Sequence, residues 1–145
     1  MKILFLDIDG VVNCKETFTK GVQHMLDDDC AERVRRIVRE TGCLVVLSSS
    51  WRGSADSRAE IEKRVTPIHD ITGRCCSGIR GVEINNWINK NIPYKERDAL
   101  QYAILDDDSD MLMWQEDQFF QTSFEDGGLN DRIAGEVIAY LNRVI

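Results

Sequence analysis

Read from its amino end, the chain opens on a short uninterrupted apolar run, Lys2 to Leu6, that meets Asp7-Ile8-Asp9-Gly10 at once. Such a run predicts a strand buried on both faces that delivers polar residues at its carboxyl end. Cys43 to Leu47 repeats the pattern and leads into Ser48-Ser49-Ser50; Tyr102 to Leu105 repeats it before Asp106-Asp107-Asp108. Phe119 to Phe124 is a fourth candidate strand. Between these runs the apolar period becomes helical. Ala31, Val34, Ile37 and Val38 share one face behind Asp27-Asp28-Asp29, which reads as a cap and acidic first turn, and Gly42 stops the segment. A second helix is predicted from about Asp56 to Val65, with Ala59, Ile61 and Val65 inward, before Pro67 and a turn around Gly73. A third amphipathic segment begins at Gly81-Val82-Glu83-Ile84, passes through Trp87 and Ile88, and ends before Pro93. A last one, Ile133 to Val144, follows Gly127-Gly128, while Val11 to about Met25 lacks helical period, carries Gly21, and reads as a loop or small hairpin.

Strands alternating with helices predict an α/β fold, a three-layer sandwich around a mainly parallel sheet, in one domain over residues 1–145. That length can bury an ordinary apolar core without disulfide or metal staples, and 43% hydrophobic residues with two prolines exclude a disordered chain. No apolar run approaches about 18 residues, so no membrane span is expected, and the opening run is too short for a secretory segment. Five cysteines form no C-x-x-C pair, and a Cys75–Cys76 bridge would close a strained ring; reduced thiols in a cytoplasmic protein are expected, without structural zinc. The 18 Lys+Arg against 25 Asp+Glu give a net charge of −7, which disfavours a free-standing nucleic-acid binder unless a local basic patch or another protein holds the partner.

In a parallel sheet, ligands bind outside the carboxyl ends of the strands. Three predicted strands present Asp7/Asp9, Ser48/Ser49 and Asp106/Asp107/Asp110 at that edge. Converging carboxylates repel unless a cation neutralises them, and an all-oxygen set favours Mg²⁺. In the D-x-D spacing, side chains at i and i+2 point the same way, so one carboxylate can attack phosphorus while the other handles the proton of the leaving oxygen. Such chemistry also needs donors around the phosphoryl group, for which Ser48 and Arg80 are the candidates. Asp27-Asp28-Asp29 is assigned to helix capping. Trp51 and Arg52 divide between lining a site mouth and acting as packing and a surface ion pair. Trp87 and Trp114 are read as core or edge aromatics, Cys14 as a neighbour of the site without a role, and His24 and His69 as surface residues.

Asp7-Ile8-Asp9-Gly10-Val11-Val12, then Leu44-Val45-Val46-Leu47-Ser48, then Ile104-Leu105-Asp106-Asp107 with Asp110, resemble motifs I, II and IV of the haloacid dehalogenase (HAD) superfamily, in that order. More narrowly, Ser48-Ser49-Ser50-Trp51-Arg52, Arg80-Gly81-Val82-Glu83-Ile84 with Trp87, and Leu105 to Met111 resemble the small HAD domains of Swiss-army-knife RNA repair proteins. The resemblance implies a Rossmannoid sheet, Asp7 as the nucleophile of a phospho-aspartate mechanism, and Asp9 as general acid/base. It also implies Mg²⁺ held by Asp7, the Asp9 carbonyl and an acid of the last motif. Asp107 fits one register of that motif and is the favoured ligand; Asp106, followed by Asp110, fits the other. By the same resemblance Ser48 would be the phosphoryl-binding hydroxyl of the second motif, with Ser49 one register away. The superfamily's third motif is normally a lysine or arginine at a helix start, a place the resemblance gives here to Arg80 as the best substitute. The chain leaves no room for a cap domain, so the site is expected to be open.

The reading is therefore an Mg²⁺-dependent phosphomonoesterase, with a substrate drawn from small metabolites, nucleic-acid ends or phosphoproteins, and with a partner protein as a possible completion of the site. The competing readings are a phospho-receiver signalling domain and a catalytically silent interaction module on the same fold.

Overall fold

The three apolar runs form strands β1 (Lys2–Leu6), β2 (Leu44–Leu47) and β4 (Gln101–Asp106) in the computed structural model, which describes all residues from Met1 to Ile145. Two short strands, β3 (Asp70–Ile71) and β5 (Phe119–Gln121), complete a five-stranded parallel sheet in the order β3-β2-β1-β4-β5. Leu6 pairs with Leu47 on one side and Leu105 on the other, so Asp7, Ser48 and Asp106 follow at one level. The bonds Asp7 N–H to Leu105 O (3.0 Å) and Ser48 N–H to Leu6 O (2.9 Å) carry the ladder right up to that level.

Five helices flank the sheet: α1 (Lys15–Thr19), α2 (Asp28–Thr41), α3 (Ala55–Arg64), α4 (Arg80–Asn91) and α5 (Asp131–Leu141). Alternation along β1 divides the core in two. Leu4 and Leu6 pack with Val34 and Ile37 of α2, Ile61 of α3 and Val137 of α5. Ile3 and Phe5 face the other way, onto Ile84, Trp87 and Ile88 of α4. The result is the expected three-layer sandwich. Phe5 meets Trp87 edge-on at 5.5 Å and Tyr102 at 5.8 Å, so truncating it to alanine would leave a cavity costing about 3–5 kcal/mol. Helix α2 starts where the acidic triplet predicted: Asp27 Oδ1 accepts from Cys30 N–H at 2.8 Å, and Gly42 closes the helix at φ 69°.

The differences from expectation are local. The stretch after β1 contains a single turn of helix, α1, too brief to show a helical period; it is tied to the last strand connection by Lys15 N–H to Phe124 O and by Phe18 against Phe124. Where only a turn near Gly73 was expected, β3 adds two residues to the sheet through His69 N–H to Val45 O and Thr72 N–H to Leu47 O. Strand β5 ends at Gln121 rather than Phe124, because Ser123 to Leu129 turns back toward Val11. The closing helix ends at Leu141, short of Val144, and Ala59 of α3 faces solvent. Trp87 belongs to the core, whereas Trp114 is 65% exposed. All five cysteines are free. Only α1 and turns lie between β1 and α2, so no cap domain covers the sheet edge. No helix is long and apolar enough to cross a membrane.

Candidate active site

The register of the sheet brings Asp7, from the end of β1, beside Asp106 and Asp107, from the end of β4. One carboxylate oxygen from each lies within 4.8 Å of the others. Asp7 and Asp106 are buried and Asp107 half-buried, so both registers read from the last motif enter the same cluster. Asp110 does not. Its Oδ2 accepts from the Arg80 N–H at 2.8 Å and its carbonyl from the Gly81 N–H at 3.1 Å, so it caps the start of α4. That cap aims Arg80, the first residue of α4, at the acids: Arg80 Nε stands 3.7 Å from Asp106 Oδ2.

Burial dominates the electrostatics. Desolvation, reinforced by the charge of Asp106, pushes the Asp7 carboxyl up to about 8; Arg80 pulls the other way without overcoming it. Desolvation also raises Asp106, to about 6, offset in part by the Asp108 N–H on its Oδ1 (2.9 Å) and by Arg80. One guanidinium is not enough for three crowded carboxylates, and without a cation the cluster retains a proton. Of the seven buried side-chain polar atoms that lack a hydrogen-bond partner, four belong to this place: Ser48 Oγ, Arg80 Nη1, Asp106 Oδ2 and Asp110 Oδ1. Orphaned buried polar atoms are costly unless something arrives to meet them. An all-oxygen set this close, with an unpartnered buried oxygen on Asp106, fits a hard divalent cation, whose oxygen ligands stand about 2.0–2.6 Å from the ion.

Asp9 lies on the loop after β1 and is exposed. Its Oδ1 accepts from Asn13 Nδ2 at 2.9 Å and from the Trp51 indole Nε1–H at 3.1 Å. Asn13, fully buried, also accepts the Gly10 N–H and donates to the Met25 carbonyl, holding the loop's shape. Of the two serine registers, Ser49 uses its hydroxyl oxygen to accept from Trp51 N–H and so starts the 3-10 turn Ser50–Gly53, while the Ser48 hydroxyl, at the level of Asp7, is unengaged.

Arg52 is not a surface ion pair. It is 6% exposed and forks between Ser48 O (2.9 Å) and Ser49 O (3.2 Å) on one side and both oxygens of Glu83 (3.0 and 3.1 Å) on the other. Glu83, one turn along α4 from Arg80, further accepts the Cys75 N–H. The buried pair thus ties the loop after β2 to the helix that carries Arg80. The pair escapes the sequence because its members stand 31 residues apart, and a charged residue in an amphipathic segment ordinarily marks the solvent face. Asn13 gave no sequence signal, nor did Thr122, whose hydroxyl donates to the Gly10 carbonyl at 2.6 Å. Cys14 is buried and engaged with Thr17, His24 Nδ1 accepts from Leu26 N–H, and His69 is exposed.

A family model described as the HAD domain in Swiss Army Knife RNA repair proteins matches residues 3–133. No curated protein and no solved structure matches the chain. With the match covering most of its length, the chain belongs to that family of HAD domains, which at family level goes with phosphatase-type hydrolysis and a metal-ion site.

Proposed function

We propose that this member of the HAD family is a Mg²⁺-dependent phosphomonoesterase that works through a phospho-aspartate on Asp7. The observation that carries the reading is the gathering of Asp7, Asp106 and Asp107 within 4.8 Å, beside Arg80 and the unengaged Ser48 hydroxyl. Asp7, the Asp9 carbonyl, Asp106 and Asp107 would hold the metal, which supplies charge neutralisation for the acids and for the phosphoryl oxygens.

The chain's own residues then divide the work. An oxygen of ionised Asp7 attacks phosphorus as the bond to the leaving oxygen breaks, and a proton on Asp9 passes to that oxygen, releasing an alcohol. Asp9, now a carboxylate, takes a proton from the water that attacks the phospho-aspartate; inorganic phosphate leaves and Asp7 is restored. Arg80 and the hydroxyl of Ser48, with Ser49 beside it, donate to the transferred group where its charge builds.

The open sheet edge suits a bulky substrate such as a nucleic-acid end, and a partner protein that completes the site fits the same openness; a cytoplasmic setting agrees with five unpaired thiols. Hydrolysis of a generic aryl phosphate with Mg²⁺ tests the reading. Activity should vanish with excess chelator and in Asp7→Asn; turnover that survives either would overturn it.

A further inference from the structure

We propose that Trp51 is a positioning residue for Asp9, holding the side chain of the general acid in one orientation at the sheet edge. The role deepens the phosphatase reading above and rests on it. A carboxylate oxygen offers about two acceptor positions. Both positions of Asp9 Oδ1 are filled, by Asn13 Nδ2 at 2.9 Å and by Trp51 Nε1–H at 3.1 Å. Oδ2 has no protein partner among the hydrogen bonds of the site, so the carboxyl is held by one oxygen and keeps the other unengaged.

The two donors differ in kind. Asn13 belongs to Asp9's own loop and moves with it. Trp51 comes from the loop after β2, 42 residues away, and anchors Asp9 to a different strand. Its indole body is half-buried against the larger core cluster, so an apolar ring with few rotatable bonds presents a single polar tip to the acid. That matters in this fold because no cap domain stands over the loop: Asp9 is exposed, and an exposed carboxylate without a second anchor samples several rotamers. In many enzymes a closing lid imposes such order. Here an indole N–H from the neighbouring strand end does so before any substrate arrives. The loop Ser49-Ser50-Trp51-Arg52 then serves two purposes, since its next residue, Arg52, locks the same loop to α4.

Trp51→Phe keeps an aromatic ring against the core and removes only the N–H. Protonation matters little for a leaving group as acidic as 4-nitrophenol and a great deal for an alkoxide. In kcat/KM, which reports the step that breaks the first P–O bond, the variant should stay within about twofold of wild type on 4-nitrophenyl phosphate and fall about tenfold on 2-phenylethyl phosphate. In an Asp9→Asn background the same substitution should cost nothing further on either substrate. An equal loss on both substrates would make Trp51 a substrate-packing residue, and no loss on the alkyl phosphate would make its bond to Asp9 idle; either overturns the proposal. The contact itself is read without turnover. The Trp51 indole ¹H–¹⁵N resonance, assigned by its disappearance in Trp51→Phe, should move on Asp9→Ala while those of Trp87 and Trp114 stay; an unmoved Trp51 signal refutes the bond. Wild-type protein lacking Asp7-dependent hydrolysis would instead remove the phosphatase reading, and the role with it.

Discussion

A Cβ added to Gly10 would lie 2.6 Å from Cβ of Asp107 and closer still to its carboxylate, and Gly10 holds φ at +82°. The turn that leaves β1 therefore passes against the acid at the end of β4 only because position 10 has no side chain. Backbone freedom and close approach are both needed here, and only glycine supplies both.

Gly10→Ala should accordingly destabilise the protein by about 1–3 kcal/mol and displace Asp107 from the acid cluster. Urea unfolding measures the first effect. Mg²⁺ binding followed calorimetrically measures the second, with weaker affinity expected even at temperatures where the variant is fully folded.

The raised carboxyls Asp7 and Asp106 set a pH dependence whose sign is fixed. Below about pH 4 both the folded and the unfolded chain hold these protons, so the two acids contribute nothing. As pH rises from about 4 to about 8 the unfolded chain releases them first, and the metal-free fold loses stability across that window. The slope for one proton is at most about 1.4 kcal/mol per pH unit. Thermal melts between pH 5 and 8 should show the decline, a smaller decline in Asp7→Asn, and Mg²⁺ stabilisation that grows with pH because the ion displaces the retained proton. A flat profile without metal would contradict the cluster.

Ser48 and Arg80 separate stability from catalysis. The Ser48 hydroxyl is buried without a partner, so Ser48→Ala should leave unfolding free energy unchanged or slightly raised while lowering kcat/KM at least tenfold. Arg80→Ala should cost about 10²–10³ in kcat. It should also raise the proton affinity of Asp7 and Asp106 further, since the Arg80 charge now lowers both, and so move the pH window of the melts upward.

For the buried fork of Arg52 and Glu83, removing one partner strands a charge. Glu83→Leu should destabilise by about 3–5 kcal/mol, and Arg52→Met/Glu83→Leu together should cost less than the sum of Arg52→Met and Glu83→Leu alone. Chemical denaturation of the two single variants and the double variant closes the cycle.

Strands β1, β2 and β4 were legible because each is an unbroken apolar run, and burial on both faces leaves no other composition open to them. Helix α2 was legible from its cap, its face and its glycine stop. A two-residue strand and a one-turn helix were not, since β3 and α1 exist through bonds to distant backbone and have no period of their own. In the site, Asp7, Ser48 and Asp106 could be placed together from sequence because each stands where its apolar run ends. Asp110 could not be told from a metal ligand, because capping α4 requires the same carboxylate at the same spacing.

The sequence by itself determined which residues end each strand and hence which chemistry gathers at one sheet edge, because local hydrophobic pattern specifies strands and a parallel sheet aligns their ends. Tertiary structure alone decided that Asp106 and Asp107 both join Asp7, that Arg52 is buried against Glu83, and that Trp51 reaches Asp9. Those are contacts between side chains tens of residues apart. Their geometry depends on strand register and helix docking, which no single segment encodes.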